Sequence, residues 1–205
     1  MLADKSVRDL LAAFASSDPT PGGGSASALA SAVGASLLMM VAALPKTRSG
    51  SPDDRAALAA ARNALTSIQQ QLTEAIDLDA AAYGRVLGSY RLPKGTADEQ
   101  AARAAAVQRA LRGATDVPLR VMQLSALALK EARLVAAHGH RAAASDVRVA
   151  IGLLAAGLQG ARLNVEANQG STSDPAYVEA VTLEAQRLAD DGAREAEEAD
   201  GLLQK

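Results

Sequence analysis

The feature that most limits the fold is a stretch without a charged residue, from Ala26 to Ala43. Its length approaches that of a bilayer span, so both a membrane helix and a buried central helix have to be considered. Its residues are mostly Ala, Gly and Ser rather than Leu, Ile and Phe, and no aromatic belt flanks it. Because a helix that is apolar on all sides lies either in a membrane or in a protein core, we predict a buried central helix and expect no membrane association.

Composition favours an all-α fold. Hydrophobic residues make up 49% of the chain but aromatic residues only 2%, so the core has to be built from Ala, Leu and Val. Alanine has the highest helix propensity, and the runs of β-branched and aromatic residues that are typical of strands are missing. A chain of 205 residues fits one domain. We therefore predict a single all-α domain spanning 1–205.

Apolar spacing, interrupted by Pro and Gly, predicts about seven helices joined by short links, as in an antiparallel bundle. Thr96 and Glu99 have the spacing of a capping box, Ser145 is a candidate N-cap, and Gly139 and Gly170 are candidate stops. The third helix is predicted to be long. The approximate bounds are 4–16, 25–44, 53–90, 97–112, 118–138, 145–168 and 174–203.

Charge and cysteine content exclude several functional classes. The net charge is −2 and no long run of Lys and Arg occurs, so we expect no nucleic-acid partner. The chain has no Cys, which excludes disulfides and thiolate zinc sites and fits a cytoplasmic location. The N-terminal stretch carries charges and does not indicate secretion. His138 and His140 do not complete a metal site, so we expect no metal and a helix C-cap role for this pair.

A glycine loop, Pro21 to Ser25, stands directly before the predicted central helix. Free backbone N–H groups and the helix dipole at such a position favour an anion or a carbonyl oxygen. A tight turn that admits a neighbouring helix explains the glycines equally well. The loop matches neither the phosphate loop nor the dinucleotide fingerprint.

Asp79 interrupts an apolar seam. Leu58, Leu65, Leu72 and Val86 recur at intervals of seven along the third helix, and position 79 belongs to the same row. A carboxylate on such a seam has to find a partner or border a wet pocket. From the residues alone, an ion pair with an arginine of a facing helix and a position beside a pocket both stay open.

Other polar residues are weaker candidates for the functional site. Asn164 and Asn168 lie one turn apart in an apolar segment, which suggests either recognition of a polar ring or a network that ends a helix. Asp146 has the position of an ordinary first-turn acid. Lys94, in a Leu-Pro-Lys loop, has the character of a solvated lysine.

Five stretches of the chain form an ordered set of motifs: PTPGGGSASALASAVGASLLMMV, IDLDAAAYGRVLGSYRLPKGTADEQAAR, ATDVPL, GHRAAASDVRVA and ARLNVEANQ. Taken together they resemble the cyclodeaminase/cyclohydrolase family, which includes the C-terminal domain of formiminotransferase-cyclodeaminase and the stand-alone methenyltetrahydrofolate cyclohydrolases. The resemblance covers residues 6 to 177.

The resemblance implies an all-helical homodimer that acts on the one-carbon bridge of tetrahydrofolate and needs no cofactor besides this substrate. Hydrolysis of 5,10-methenyltetrahydrofolate to 10-formyltetrahydrofolate is the first expectation. The alternatives are release of ammonia from formiminotetrahydrofolate, and a non-catalytic folate-binding or scaffolding dimer. A small-residue face formed by Ser27, Ser31 and Ala35 suits a dimer contact or packing within the chain.

The resemblance also implies roles for individual residues. Asp79 is expected to orient and deprotonate the attacking water, and Lys94 to relay a proton or to pair with a folate carboxylate. The remaining substrate contacts are expected from backbone donors of the loop, from polar walls and from arginines that meet the glutamate tail: Gly22, Gly23, Gly24, Ser25, Asp146, Asn164, Arg91 and Arg103.

Overall fold

The computed structural model describes residues 1–204 and confirms the all-α prediction. Within that range the chain forms six α-helices and one short 3₁₀ turn, Arg141–Ala143, with no strand. The helices are α1 Val7–Phe14, α2 Gly23–Ala42, α3 Pro52–Tyr90, α4 Ala97–His138, α5 Ala144–Gln169 and α6 Pro175–Leu203.

Helix α2 buries one face inside the bundle and leaves the other face exposed. It packs against α3, α4 and α5, and α4 also packs against α6. By length and composition alone, α2 and the segment Arg141–Gln169 are each apolar enough to cross a membrane, but half of the α2 window is buried inside the bundle. The predicted seam of α3 is also present, since Leu58, Leu65 and Leu72 are at most 2% exposed.

The small-residue face of α2 packs against α5 of the same chain. A side chain at Gly157 would overlap with the hydroxyl of Ser31 and approach Ser27 O to 2.7 Å. The hydroxyl of Ser31 lies 2.7 Å from the Ser125 hydroxyl of α4. Of the two uses predicted for this face, packing within the chain is the one observed.

The predicted count of seven helices is wrong at one point. The helices expected over 97–112 and 118–138 form one helix, α4, with Pro118 in its interior. Proline removes the N–H that would bond the carbonyl four residues earlier, here Ala114 O. The Nδ2 of Asn168 donates to this carbonyl at 2.8 Å, so the neighbouring helix replaces the missing donor.

The predicted helix ends are largely present. Thr96 and Glu99 form the capping box, and Gly139 and Gly170 are C-caps. The predicted N-cap Ser145 is wrong, because α5 begins at Ala144 after the 3₁₀ turn and its N-cap, Ala143, supplies no side-chain bond.

His138 closes the end of the bundle away from the glycine loop. Its Nδ1 lies 2.8 Å from Oδ1 of Asp54, which links the last residue of α4 to the first turn of α3. This contact, with hydrogen bonds from Ser49, holds the pKa of Asp54 well below its usual range. In residues 1–204, His, Asp and Glu side chains form no group of three that could hold a metal ion.

Candidate active site

A cavity of about 340 Å³ opens where the glycine loop meets α3, α4 and α5. Each of these elements contributes part of the wall, and among the described residues 1–204 Asp79 is the only charged side chain in the lining. The lining residues are Pro19, Thr20, Gly22, Gly23, Gly24, Asp79, Ala82, Tyr83, Val86, Leu111, Ala114, Asn164 and Asn168.

Asp79 is held on the first turn of α2 by Ser25. Its Oδ2 accepts hydrogen bonds from the Ser25 N–H at 2.9 Å and from the Ser25 hydroxyl at 3.1 Å. The same hydroxyl lies 2.8 Å from Ile76 O, and Ser25 is fully buried. No ion pair to Asp79 occurs among the described residues, so the arginine partner considered from the sequence is absent.

The second oxygen of Asp79 is the one that is open to the cavity. Within residues 1–204, Oδ1 accepts no hydrogen bond, and it is not a buried atom. Partial burial raises the pKa of Asp79, and the two hydrogen bonds from Ser25 oppose that rise without cancelling it. A carboxylate with a raised pKa and one free oxygen is suited to take a proton from water near neutral pH.

The glycines are explained by how closely Asp79 approaches them. A Cβ built on Gly24 would overlap with Oδ1 of Asp79 and lie 2.8 Å from Oδ2. A Cβ on Gly23 would lie 3.4 Å from Nδ2 of Asn164. Helix α2 begins at Gly23, two residues earlier than predicted, so these glycines form its first turn. The loop therefore serves both predicted purposes, close packing and an open helix N-terminus.

Backbone donors remain free at this N-terminus. The first N–H groups of an α-helix have no partner inside the helix. Gly22 is the N-cap and supplies no side-chain bond, and the Ser25 N–H is taken by Asp79. In the part of the chain that the structure describes, the N–H groups of Gly23 and Gly24 have no acceptor. They are donors beside the carboxylate.

Two asparagines of α5 form another part of the wall, and Asn164 lies beside Gly23. Asn164 donates through Nδ2 to Gly160 O at 2.8 Å, and Asn168 donates through Nδ2 to Ala114 O at 2.8 Å. Of these two asparagines, only Asn164 is predicted from the sequence to contact the substrate. Two signals point to Asn168 as well: its position one turn beyond Asn164, and Pro118, which predicts an unpaired carbonyl at residue 114.

The structure brings some of the predicted site residues together and leaves others outside. Gly22, Gly23, Gly24, Asp79 and Asn164 line the cavity, and Ser25 lies directly beneath Asp79. Tyr83, Val86 and Leu111 complete the wall and were not predicted, because apolar and aromatic residues of a helix give no sequence signal that separates a pocket wall from a core.

Asp146 lies far from this cavity. It is in the first turn of α5, whereas Asn164 is near the other end. At roughly 1.5 Å per residue, the two positions are separated by about 27 Å along the helix axis. Asp146 does not line the cavity within one chain, and its role as a pocket wall stays a prediction.

Arg91, Lys94 and Arg103 lie on the hairpin formed by the end of α3 and the start of α4. Arg91 and Lys94 are exposed, Arg103 is half-buried, and none of the three lines the cavity. Arg103 donates to Tyr90 O at 3.1 and 3.2 Å, and its guanidinium lies 5.7 Å from the centre of the Tyr90 ring. The hairpin continues directly from the cavity wall, because Val86 and Leu111 stand at its base.

Comparison with known proteins agrees with this architecture. The chain is 38% identical over 179 residues to a methenyltetrahydrofolate cyclohydrolase from Methylorubrum extorquens, covering 87% of this chain and 86% of that protein. It is 31% identical over 178 residues to the formimidoyltransferase-cyclodeaminase of Rattus norvegicus, and spans 33% of that longer protein.

A solved structure has the same fold. The chain superposes on a formiminotetrahydrofolate cyclodeaminase from Thermotoga maritima with a TM-score of 0.88, at 22% identity, covering 100% of this chain and 98% of that one. The sequence model of the formiminotransferase-cyclodeaminase family matches residues 6–187. With nearly the whole chain matched, and relatives that are enzymes of folate chemistry, the chain belongs to the formiminotransferase-cyclodeaminase family.

Proposed function

We propose that this protein hydrolyses 5,10-methenyltetrahydrofolate to 10-formyltetrahydrofolate. The observation that carries the proposal is Asp79, whose free Oδ1 and raised pKa stand in a cavity with no other charged side chain. The 38% identity to a cyclohydrolase over most of both chains supports it independently.

The chemistry of the substrate matches these groups. The methenyl carbon lies between two nitrogens and shares a positive charge with them, so a nearby carboxylate favours its binding. Water adds to this carbon as Asp79 takes one of its protons. The added hydroxyl then loses its proton and becomes the formyl C=O as the bond from the carbon to one nitrogen breaks. That nitrogen gains a proton, the formyl group stays on the other nitrogen, and one proton is released overall. Substrate and water supply every atom, so the proposed reaction needs no cofactor.

Free backbone N–H donors lie where, in this proposal, the oxygen added to the methenyl carbon acquires negative charge. The N–H groups of Gly23 and Gly24 stand beside Asp79 at the positive end of the α2 dipole. Donors fixed at such a place stabilise a developing oxyanion without having to reorganise during the reaction. In this proposal Ser25 acts indirectly, because its N–H and hydroxyl are used to hold Asp79.

The glutamate tail of the substrate leaves the cavity along the hairpin. The cavity lining offers no cation, so the tail carboxylates have to be met elsewhere. The exposed side of α3 continues from the cavity through Tyr83, Leu87 and Tyr90, which suits the aromatic part of the tail. We place Arg91, Lys94 and Arg103 at the far end of this path, and of the two roles predicted for Lys94 we favour pairing with a carboxylate.

Ammonia release from formiminotetrahydrofolate is the second candidate. The observation that favours it is the similarity to formimidoyltransferase-cyclodeaminases, of which this chain covers about a third. The same carboxylate can assist loss of ammonia during ring closure. Offering both substrates to the purified protein separates the reactions. Faster loss of methenyl absorbance than in buffer supports the hydrolase, and ammonia released only from the formimino substrate supports the deaminase.

A non-catalytic folate-binding or scaffolding role predicts a different result. Calorimetry would show that the stable analogue 5-formyltetrahydrofolate binds, while neither substrate is converted faster than in buffer. That outcome would overturn both proposed reactions.

We further propose a homodimer that forms through the outward faces of α2 and α5. These faces expose Val33 and Met40 on α2, and Val149 and Leu163 on α5, at 41 to 56% of their full exposure. Exposed apolar residues on neighbouring helices suit contact with a second copy. Light scattering is expected to give twice the chain mass, and Val33→Asp with Val149→Asp to give the monomer mass. A wild-type monomer at micromolar concentration would contradict the proposal.

A further inference from the structure

The two cavity asparagines differ from ordinary amides in that their orientation is fixed. A backbone carbonyl can only accept a hydrogen bond. The group 2.8 Å from Gly160 O and the group 2.8 Å from Ala114 O are therefore both amide nitrogens, since the reverse orientation would bring two oxygens together. Each Oδ1 must then point away from its carbonyl partner.

The two Oδ1 atoms are free acceptors. Within the described residues 1–204, no donor reaches Oδ1 of Asn164 or of Asn168, and neither atom is buried. Both side chains line the cavity, and they lie one helical turn apart on the same face of α5. The α5 wall therefore offers a pair of acceptors, whereas the facing end of α2 offers the donors of Gly23 and Gly24.

The proline at residue 118 fixes the orientation of the Asn168 amide more firmly. Ala114 O has no N–H partner inside α4, because residue 118 is proline. Rotation of the Asn168 amide would leave that carbonyl unpaired, so the bond that repairs α4 also holds Oδ1 in its place.

We infer that Asn164 and Asn168 are specificity-determining residues that accept hydrogen bonds from the 2-amino and ring N–H groups of the bound pterin. This inference rests on the proposed folate substrate. The pyrimidine edge of a tetrahydropterin carries an exocyclic amino group and ring N–H donors, and these complement a paired-acceptor wall. Asp79 then remains free for the reacting carbon, on the other side of the glycine loop.

The test compares binding of two probes, 5-formyltetrahydrofolate and its counterpart in which a methyl group of similar size replaces the 2-amino group. Wild-type protein is expected to prefer the amino form by about 10-fold to 100-fold, because the methyl form covers an asparagine Oδ1 without donating a hydrogen bond to it. In Asn164→Leu the preference is expected to fall to about threefold or less. Gly160 O keeps its bond inside the helix in this variant, so the fold is retained.

Asn168 needs a compensated variant, because Asn168→Leu alone leaves Ala114 O without a donor. Pro118→Ala restores the helical N–H, so we compare Pro118→Ala with Pro118→Ala/Asn168→Leu and expect the preference to fall only in the second. The matched control is Asn63→Leu, which lies exposed on α3 and away from the cavity.

Each outcome decides between the claims. If the wild type shows no preference while methenyl hydrolysis proceeds, or if both cavity variants, Asn164→Leu and Pro118→Ala/Asn168→Leu, keep the wild-type preference, the inference is wrong and the proposed function stands. A wild type that shows the preference without turning over either substrate keeps the inference and overturns the proposed function. Failure to bind either probe overturns both.

Discussion

Oδ2 of Asp79 accepts two hydrogen bonds from Ser25, so the carboxylate of α3 is fixed to the first turn of α2 while its Oδ1 stays open to the cavity. This arrangement separates two tasks within one side chain. One oxygen anchors it, and the other is available for proton transfer.

Replacing Asp79 tests the proposed base. Asp79→Asn is expected to lower kcat by roughly 10²-fold to 10⁴-fold, the range contributed by a positioned general base. Because burial opposes ionisation of Asp79, the amide is expected to keep or raise the free energy of unfolding at pH 7. Turnover assays and urea denaturation measure the two effects.

Asp77→Asn is the matched control, since Asp77 lies on the same helix and accepts bonds from Leu2 and Ala3 outside the cavity. If Asp79→Asn keeps wild-type turnover, Asp79 is not the base.

Gly24→Ala tests the close approach of Asp79 to the glycine loop. The new Cβ would overlap with Oδ1 of Asp79, so the carboxylate has to move. We expect kcat to fall at least tenfold, and the free energy of unfolding to drop by about 1–3 kcal/mol, as is usual for overpacking. Gly201→Ala, whose Cβ meets nothing within 4 Å, serves as the control and should leave kcat unchanged. Wild-type activity in Gly24→Ala would show that Asp79 does not need this position.

The fall of kcat/KM at low pH is expected to follow the protonation of Asp79. A base has to be ionised to accept a proton, so kcat/KM falls as pH drops through the pKa of Asp79, which burial raises. Ser25→Ala removes a hydrogen bond that favours the ionised form, so the pKa rises further and the acid limb moves to higher pH. Ser36→Ala, on the same helix with its hydroxyl bonded to Ala32 O, is the control. An unchanged limb in Ser25→Ala would mean that another group titrates.

The hairpin cations are expected to affect binding of the substrate tail and not the chemical step. Arg91→Gln, Lys94→Gln and Arg103→Gln together should raise KM several-fold and leave kcat within about twofold, because interactions made equally in ground and transition states change KM alone. Added salt should raise the KM of the wild type toward that of the variant, because it screens the attraction between these cations and the tail carboxylates. Arg62→Gln, an exposed position elsewhere on α3, is the control. A fall in kcat with unchanged KM would instead favour the proton-relay role of Lys94.

The bond between Asn168 and Ala114 O is expected to depend on Pro118. Asn168→Leu should lower the free energy of unfolding by about 1–3 kcal/mol, the cost of leaving the partly buried acceptor Ala114 O unpaired. In a Pro118→Ala background the same change should cost less, because the restored N–H takes over the carbonyl. A double-mutant cycle by urea denaturation measures this difference. Equal costs in both backgrounds would mean that the amide does not compensate for the proline.

Local sequence patterns predict the parts of the fold that depend on residues close together along the chain. The seam through Leu58, Leu65 and Leu72 places Asp79 on the inner face of α3, and the glycines before α2 indicate a close approach. The continuity of α4 through Pro118 could not be predicted from α4 itself, because the donor that repairs it comes from α5, 54 positions further along the chain. The partner of Ser27 and Ser31 is also a tertiary feature, since small residues fit a second chain and a neighbouring helix equally well.

The cavity takes its wall from four helices, α2 to α5, none of which contains the whole site. No isolated helix or hairpin can retain turnover, because the first partial opening of the bundle separates the Asp79 carboxylate from the Ser25 groups that hold it. Enzymatic rate should therefore disappear at or before the midpoint of global unfolding, which makes catalysis a sensitive gauge of how intact the bundle is.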